Sequence, residues 1–267
     1  MKYKDKILLT DMDGTLLDSK GRISNKNIDA IKFFISEGGR FGIATGRGVK
    51  NALIHIKELP INFHSIFLNG SVLFDVVNNK PLKTNYLSKE EIIPILKRCL
   101  HLSPNVNIQI HSEVDGFFVS DINHANQEVV DDHLPYGFVN LDEILNIEWT
   151  KVLFYGNSSE LNWLENQLSH LLEGNKIDTV YSCEFFYEIL PKASNKGGMI
   201  EELHKIKGNK HQIYTVGNFY NDLEMIEKAD FGIFTENTPE ELRAGHPNIC
   251  TNCDNNAIAD VIYNFMN

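Results

Sequence analysis

Long hydrophobic runs are missing from this sequence. No stretch approaches the roughly 20 apolar residues that span a bilayer, so a membrane partner is not expected. The basic start MKYKDKILLT has an apolar run of only a few residues, cut short by Asp11 and Asp13. That is too brief for a secretory signal and reads instead as a first strand entering a core. Cationic residues are also in deficit. Lys and Arg number 25 against 36 Asp and Glu, giving a formal net charge of -11. A nucleic-acid groove wants clustered Lys and Arg, so no nucleic-acid partner is expected either. The acidic balance does not bar an anionic ligand, because a bound cation and a few placed donors reverse the field locally.

Cysteine is sparse: Cys99, Cys183, Cys250 and Cys253. Only the last two form a CxxC pair, and no second pair or matching histidines complete a zinc site. The pair ends an apolar run, PNICTNC, rather than opening a helix near a βαβ unit. These read as ordinary thiols of a reducing compartment, and the cytoplasm is the expected location. Ten histidines are scattered without metal spacing. Repeats and low-complexity tracts are absent.

What is present is a globular composition, 42% hydrophobic and 23% charged over 267 residues. That is enough for one large domain or two modest ones. KILLT (6–10) has strand length. Residues 24–38 repeat Ile28, Ile31, Phe34 and Ile35 at helical spacing, with Ser24 as N-cap and Gly38-Gly39 as stop. RFGIAT (40–45) predicts a strand, 46–60 a helix closed by Pro60, and HSIFLNG (64–70) a third strand. SVLFDVVNNKPLK reads as a hairpin turning at Asn78-Asn79. This alternation indicates a parallel α/β sheet.

The middle of the chain differs. Helices are predicted over 88–101, 125–134, 141–146 and 159–173. A hairpin is predicted over 106–120, a strand over 149–156 and two strands over 176–190. This is a separate α+β module. After Leu190 the first pattern returns, ending in a helix over 256–266. The predicted fold is a doubly wound parallel-sheet core of 1–82 and 188–267, with an α+β cap inserted at 83–187.

Chemistry gathers just after the core strands, where an open α/β sheet places its ligand crevice. Asp11-Met12-Asp13-Gly14-Thr15 puts two carboxylates one residue apart at a strand end, and Gly14 permits a sharp turn. One carboxylate can attack phosphorus. The other can protonate the leaving alcohol and then activate water. A solvated Asx turn is the plain alternative for a bare DxD. Ala44-Thr45-Gly46-Arg47 offers a threonine that, on chemistry alone, could equally be an N-cap. Lys196 and Lys192 compete as the cation that relieves repulsion between a carboxylate and a phosphate dianion. The spacing to Gly197 favours Lys196.

On these motifs the chain resembles the haloacid dehalogenase superfamily of phosphatases, specifically the Cof-type branch with a large cap of the C2 kind, over nearly its whole length. The resemblance implies that Asp11 is the nucleophile and Asp13 the acid/base, with its carbonyl on Mg²⁺. It implies that Thr45 and Gly46 bind phosphate, and that Lys196 is the third-motif lysine. Asn69-Gly70 matches a feature near the site. Gly217-Asn218-Phe219-Tyr220-Asn221-Asp222 matches the fourth motif, usually Gly-Asp-x-x-Asn-Asp. Asn221 would then meet a phosphate oxygen, and Asp11, Asp13, Asn218 and Asp222 would form the metal set. Asn218 departs from the family's aspartate; its carbonyl can ligate Mg²⁺ but brings no charge.

The expected activity is Mg²⁺-dependent hydrolysis of a small phosphorylated metabolite, a sugar phosphate by expectation, by a monomer or weak dimer. Two alternatives stay open. One is phosphosugar mutase chemistry on the same scaffold. The other is a phosphometabolite-binding protein whose turnover Asn218 weakens.

Overall fold

The computed structural model describes residues 1–102, 106–120, 130–131, 135–174, 176–207 and 210–266. In chain order its strands are β1 Lys6–Thr10, β2 Arg40–Ile43, β3 Ser65–Phe67, β4 Val72–Asp75, β5 Lys80–Thr84, β6 Asn107–His111, β7 Gly116–Phe118, β8 Gly137–Phe138, β9 Lys151–Tyr155, β10 Ile177–Cys183, β11 Phe186–Pro191, β12 Gln212–Gly217, β13 Phe231–Thr235 and β14 Ile249–Cys250. The longer helices are α1 Asn25–Ser36, α2 Val49–His55, α3 Ile92–Leu102, α4 Ser158–Glu173, α5 Lys196–Lys207 and α6 Leu223–Lys228. Two compact units result. The first holds Met1–Gly46, Ile56–Lys83 and Asn195–Asn267, and the second holds Arg47–His55 and Thr84–Ser194.

The first unit is built on a five-stranded sheet in the order β14-β13-β12-β1-β2. All its pairings are parallel, with Thr10 opposite both Val216 and Ile43. A parallel bridge from Ala44 to Ile66 extends it toward β3. Strands covered on both faces need apolar side chains at every position, and KILLT supplies them: Ile7, Leu8 and Leu9 are fully buried. Ile7, Leu9 and Ile213 pack with Met199, Ile200 and Leu203 of α5 and with Met225 of α6. Each such side chain contributes about 1.5–3 kcal/mol of burial. Helix α1 starts where Ser24 accepts a hydrogen bond from the Asn27 amide, and it buries Ile28, Ile31 and Phe34. The order of elements is that of a doubly wound α/β core, as the strand–helix alternation predicts.

The second unit carries a six-stranded sheet in the order β10-β11-β9-β6-β7-β8. Its pairs are antiparallel except β7 with β8. Alternation along the strands divides the two faces. Ile108, Ile110, Val152 and Phe154 join Leu96 of α3 and Leu161, Leu164 and Leu168 of α4 in one core with Trp149. The Trp149 indole donates to the Ile144 carbonyl at 3.0 Å, so its one polar group is satisfied inside. The alternate positions carry Gln109, His111, Lys151 and Glu188, all buried, with Lys151 and Glu188 paired at 3.0 Å.

Several elements are shorter than the sequence predicts. The helix expected over 46–60 is confined to Val49–His55. The third strand stops at Phe67 because Leu68 and Asn69 enter the left-handed region at φ 52 and φ 51, followed by Gly70 at φ 93. That turn lets the Asn69 amide donate to the Thr45 carbonyl at 3.1 Å. The stretch over 141–146 is a 3-10 turn, Leu141–Ile144. Most of the helix expected over 125–134 lies outside the described residues. Among those described, no helix is long and apolar enough to cross a membrane.

Candidate active site

Parallel pairing brings the carboxyl ends of β1, β2 and β12 to one edge of the first unit's sheet. The ladder continues one residue past each strand: the Asp11 amide donates to Val216 O at 2.8 Å and the Ala44 amide to Thr10 O at 2.8 Å. Asp11, Ala44 and Gly217 therefore leave the sheet side by side, with Thr45 one residue further along, at the usual ligand edge of such a sheet. Gly14 then turns the chain at φ 74, and Asn237 Nδ2 donates to its carbonyl oxygen at 2.8 Å. Asp11 is 6% exposed, whereas Asp13 is exposed. The two carboxylates thus differ in environment although they are separated by one residue.

Lys196 opens α5 and is fully buried. Its Nζ donates to Asp11 Oδ1 and to Asp222 Oδ1, each at 2.7 Å. The other lysine of that segment goes elsewhere: Lys192 Nζ donates to Asp178 Oδ1 at 2.6 Å within the second unit. Asp222 is also fully buried. Its second oxygen accepts from the amides of Asn218 at 2.9 Å and Phe219 at 3.1 Å. Both of its oxygens are thereby committed to Lys196 and to the main chain of the β12–α6 loop.

Burial and charge oppose one another here. Burial, then the neighbouring Asp222 carboxylate, pushes the Asp11 carboxyl up to about 7, with Lys196 pulling it back. Burial works to discharge Lys196, but Asp11 and Asp222 outweigh it and hold the ammonium above its ordinary range. The cluster therefore has more negative than positive groups, the setting in which a further cation is welcome.

Thr45 and Gly46 sit beside this centre, with Thr45 fully buried. Asn69 Oδ1 accepts from Asn221 Nδ2 at 3.0 Å, and a Cβ on Gly46 would lie 3.1 Å from the Asn69 amide nitrogen. Gly70 is pressed against the start of α5, where a Cβ would meet Asn195 O at 2.1 Å. The first unit alone thus brings together Asp11, Lys196, Asp222 and Asn218, with Thr45, Gly46, Asn69 and Asn221 as a second group.

Asn218 lies 3.0 Å from Thr15 Oγ1. With its carboxamide turned to satisfy its neighbours, the nitrogen faces three oxygens: Thr15 Oγ1 at 3.0 Å, Asp13 O at 3.1 Å and Asp11 Oδ2 at 3.3 Å. Among the described residues no group of three or more His, Cys, Asp or Glu has metal-holding geometry. The oxygens that converge are one carboxylate, one main-chain carbonyl and one amide that can rotate. That sparse hard set fits Mg²⁺, which keeps several of its waters and needs only one or two carboxylates.

Thr15 and Asn237 are neighbours of the site that motif reasoning passed over. Thr15 was legible within D-x-D-G-T, whereas Asn237 had no local signal. Cys250 and Cys253 are buried free thiols. Burial pushes both upward from the ordinary thiol range, which suits inert core cysteines.

Comparison with known proteins identifies the family and the fold. The family model for haloacid dehalogenase-like hydrolases matches residues 8–262. The chain is 27% identical over 275 residues to the Bacillus subtilis 5-amino-6-(5-phospho-D-ribitylamino)uracil phosphatase YwtE, covering 95% of this chain and 96% of that protein. It is 26% identical over 263 residues to the HMP-PP phosphatase of Yersinia pestis, covering 96% and 93%. Among solved structures, a haloacid dehalogenase-like hydrolase from Bacteroides thetaiotaomicron superposes with a TM-score of 0.84 at 24% identity, over 97% of this chain and 98% of that one. With its parallel sheet and its motif residues gathered at one sheet edge, the chain belongs to the haloacid dehalogenase-like hydrolase family and is a hydrolase of the phosphatase kind.

Proposed function

We propose that the protein hydrolyses a small phosphorylated metabolite, with a sugar phosphate as the substrate class, through a phosphoryl ester on Asp11. The observation that carries this reading is the fully buried Lys196, held at 2.7 Å between Asp11, just past β1, and Asp222. A buried ammonium costs several kcal/mol to desolvate. Placing it against a carboxylate at a ligand edge is useful where that carboxylate must approach an anion.

An Asp11 carboxylate oxygen attacks phosphorus, forming the O–P bond of an aspartyl-phosphate as the ester P–O bond breaks. Asp13, exposed beyond it, gives its proton to the departing alkoxide. It then takes a proton from water as that water attacks the aspartyl-phosphate, releasing inorganic phosphate and restoring Asp11. Lys196 offsets the repulsion between Asp11 and the incoming dianion. In this reading Thr45, Gly46 and Asn221 donate to the phosphoryl oxygens, and Asp222 positions Lys196.

Asp11 Oδ2, the Asp13 carbonyl and Asn218 would hold Mg²⁺. When bound, that ion supplies the charge that keeps Asp11 ionised and screens the phosphate. The second unit, Thr84–Ser194 with Arg47–His55, is proposed as the cap that selects the substrate.

Hydrolysis of a generic aryl phosphate with added Mg²⁺ tests the proposal. Asp11→Asn should reduce turnover on the order of 10³-fold or more. An unchanged rate removes Asp11 as the nucleophile. Isomerised phosphosugar without free phosphate would identify a mutase. Tight phosphosugar binding without turnover would identify the sensor that Asn218 makes conceivable.

A further inference from the structure

Asn218 is an unusual occupant of its position. Two of the three oxygens that its nitrogen faces, Asp11 Oδ2 and Asp13 O, only accept hydrogen bonds when Asp11 is ionised. Such a convergence of acceptors needs a positive partner. The carboxamide nitrogen is the group the chain itself provides.

Its placement is tightly constrained. The Asn218 main-chain amide is anchored on Asp222 Oδ2 at 2.9 Å. On the other side, a Cβ at Gly14 would lie 2.6 Å from the other terminal atom of the carboxamide, its oxygen once the nitrogen faces Asp11 and Asp13. The turn after Asp13 therefore closes directly onto this amide.

We propose that the Asn218 carboxamide is a built-in substitute for the divalent cation. In the metal-free protein its N–H groups bind the oxygens that would otherwise need the ion. Metal enters by exchange, as the carboxamide turns over and offers its oxygen. An aspartate at this position would behave oppositely. Without metal it would place another carboxylate beside Asp11, Asp13 and Asp222 with Lys196 as the shared ammonium. With metal it would add a charged ligand. The asparagine thus exchanges metal affinity for a site that stays assembled without metal.

This inference rests on the metal reading of the site given above, but its test reads folding and ion binding rather than turnover. Thermal unfolding of the wild type, Asn218→Asp and Asn218→Ala is followed in EDTA and across a MgCl₂ series, with calorimetric Mg²⁺ titration alongside. In EDTA, Asn218→Asp should melt about 5 °C or more below the wild type. Its Mg²⁺ midpoint should then be about tenfold lower than that of the wild type, as an added ligand charge implies. Asn218→Ala should also melt lower in EDTA but gain no tighter midpoint, separating lost hydrogen bonds from added charge. If Asn218→Asp folds only with Mg²⁺, chelator-induced unfolding of the purified proteins makes the same comparison, and greater chelator sensitivity supports the proposal. Equal melting of the wild type and Asn218→Asp in EDTA overturns it, as does a wild-type midpoint at or below that of the aspartate variant. If no variant responds to Mg²⁺, the metal reading itself fails and the exchange fails with it.

Discussion

Replacing Lys196 with methionine isolates the electrostatics at the centre of the first unit. Methionine keeps the unbranched apolar stem and removes the ammonium. Lys196 and Asp222 are both fully buried and Asp11 is nearly so, so water cannot take over the lysine's role. Two hydrogen bonds of 2.7 Å disappear, and the buried Asp222 carboxylate loses its ammonium beside an Asp11 carboxyl that Lys196 no longer pulls down. Breaking a buried charge pair by removing one partner costs about 3–5 kcal/mol. At about 2–4 °C per kcal/mol for a domain of this size, the melting temperature should fall by roughly 10 °C. The assay is calorimetric or circular-dichroism melting at neutral pH in a chelating buffer. A second substitution, Asp222→Asn in the Lys196→Met background, removes the stranded charge and should recover about 1–3 kcal/mol, the size of coupling expected between contacting groups. A Lys196→Met protein that melts within about 2 °C of the wild type would refute the argument that this buried ammonium compensates the carboxylates.

Two further outcomes follow from the same geometry. Gly70→Ala should destabilise by about 3 kcal/mol in urea unfolding, because its Cβ would meet the backbone of Asn195 and Lys196 at 2.1 and 2.8 Å. Gly21→Ala, at φ +69 with nothing within 4 Å, should cost only about 1 kcal/mol, the conformational term alone. Equal losses would remove the clash from the account. The metal-free protein should also show a pH signature of Asp11. Its folded carboxyl lies at about 7 against an ordinary 3.8, so the native state holds the proton more tightly than the unfolded state. The stability this proton confers is complete below pH 4 and is lost as pH rises through about 7. Asp11→Asn lacks this titration, so in EDTA its melting temperature should gain on the wild type between pH 4 and pH 7. A difference that is flat over that window would refute it.

Much of the fold follows from local patterns. The buried run KILLT had to be a two-face-covered strand, and Ser24 with the Ile28, Ile31 and Phe34 spacing had to start and orient α1. The Asp11–Thr15 motif falls one residue past a strand because Gly14 can take the positive φ that the turn needs. These are properties of a few consecutive residues, and periodicity and backbone preference report them directly.

Other features have no local signal. The third strand ends early because the Leu68–Gly70 turn serves contacts with Thr45 and the start of α5, which propensity cannot register. Lys192 and Lys196 are four residues apart in one polar segment, and spacing could only favour one. The folded chain sends the first to Asp178 and the second to Asp11, 185 residues away in sequence. Asn218 could be read as a departure from a motif. That its nitrogen faces Asp11, Asp13 and Thr15 required β1 and β12 to pair in parallel. Backbone form is encoded over a turn or a strand, whereas the meeting of a carboxylate with its cation depends on packing that joins residues from opposite ends of the chain.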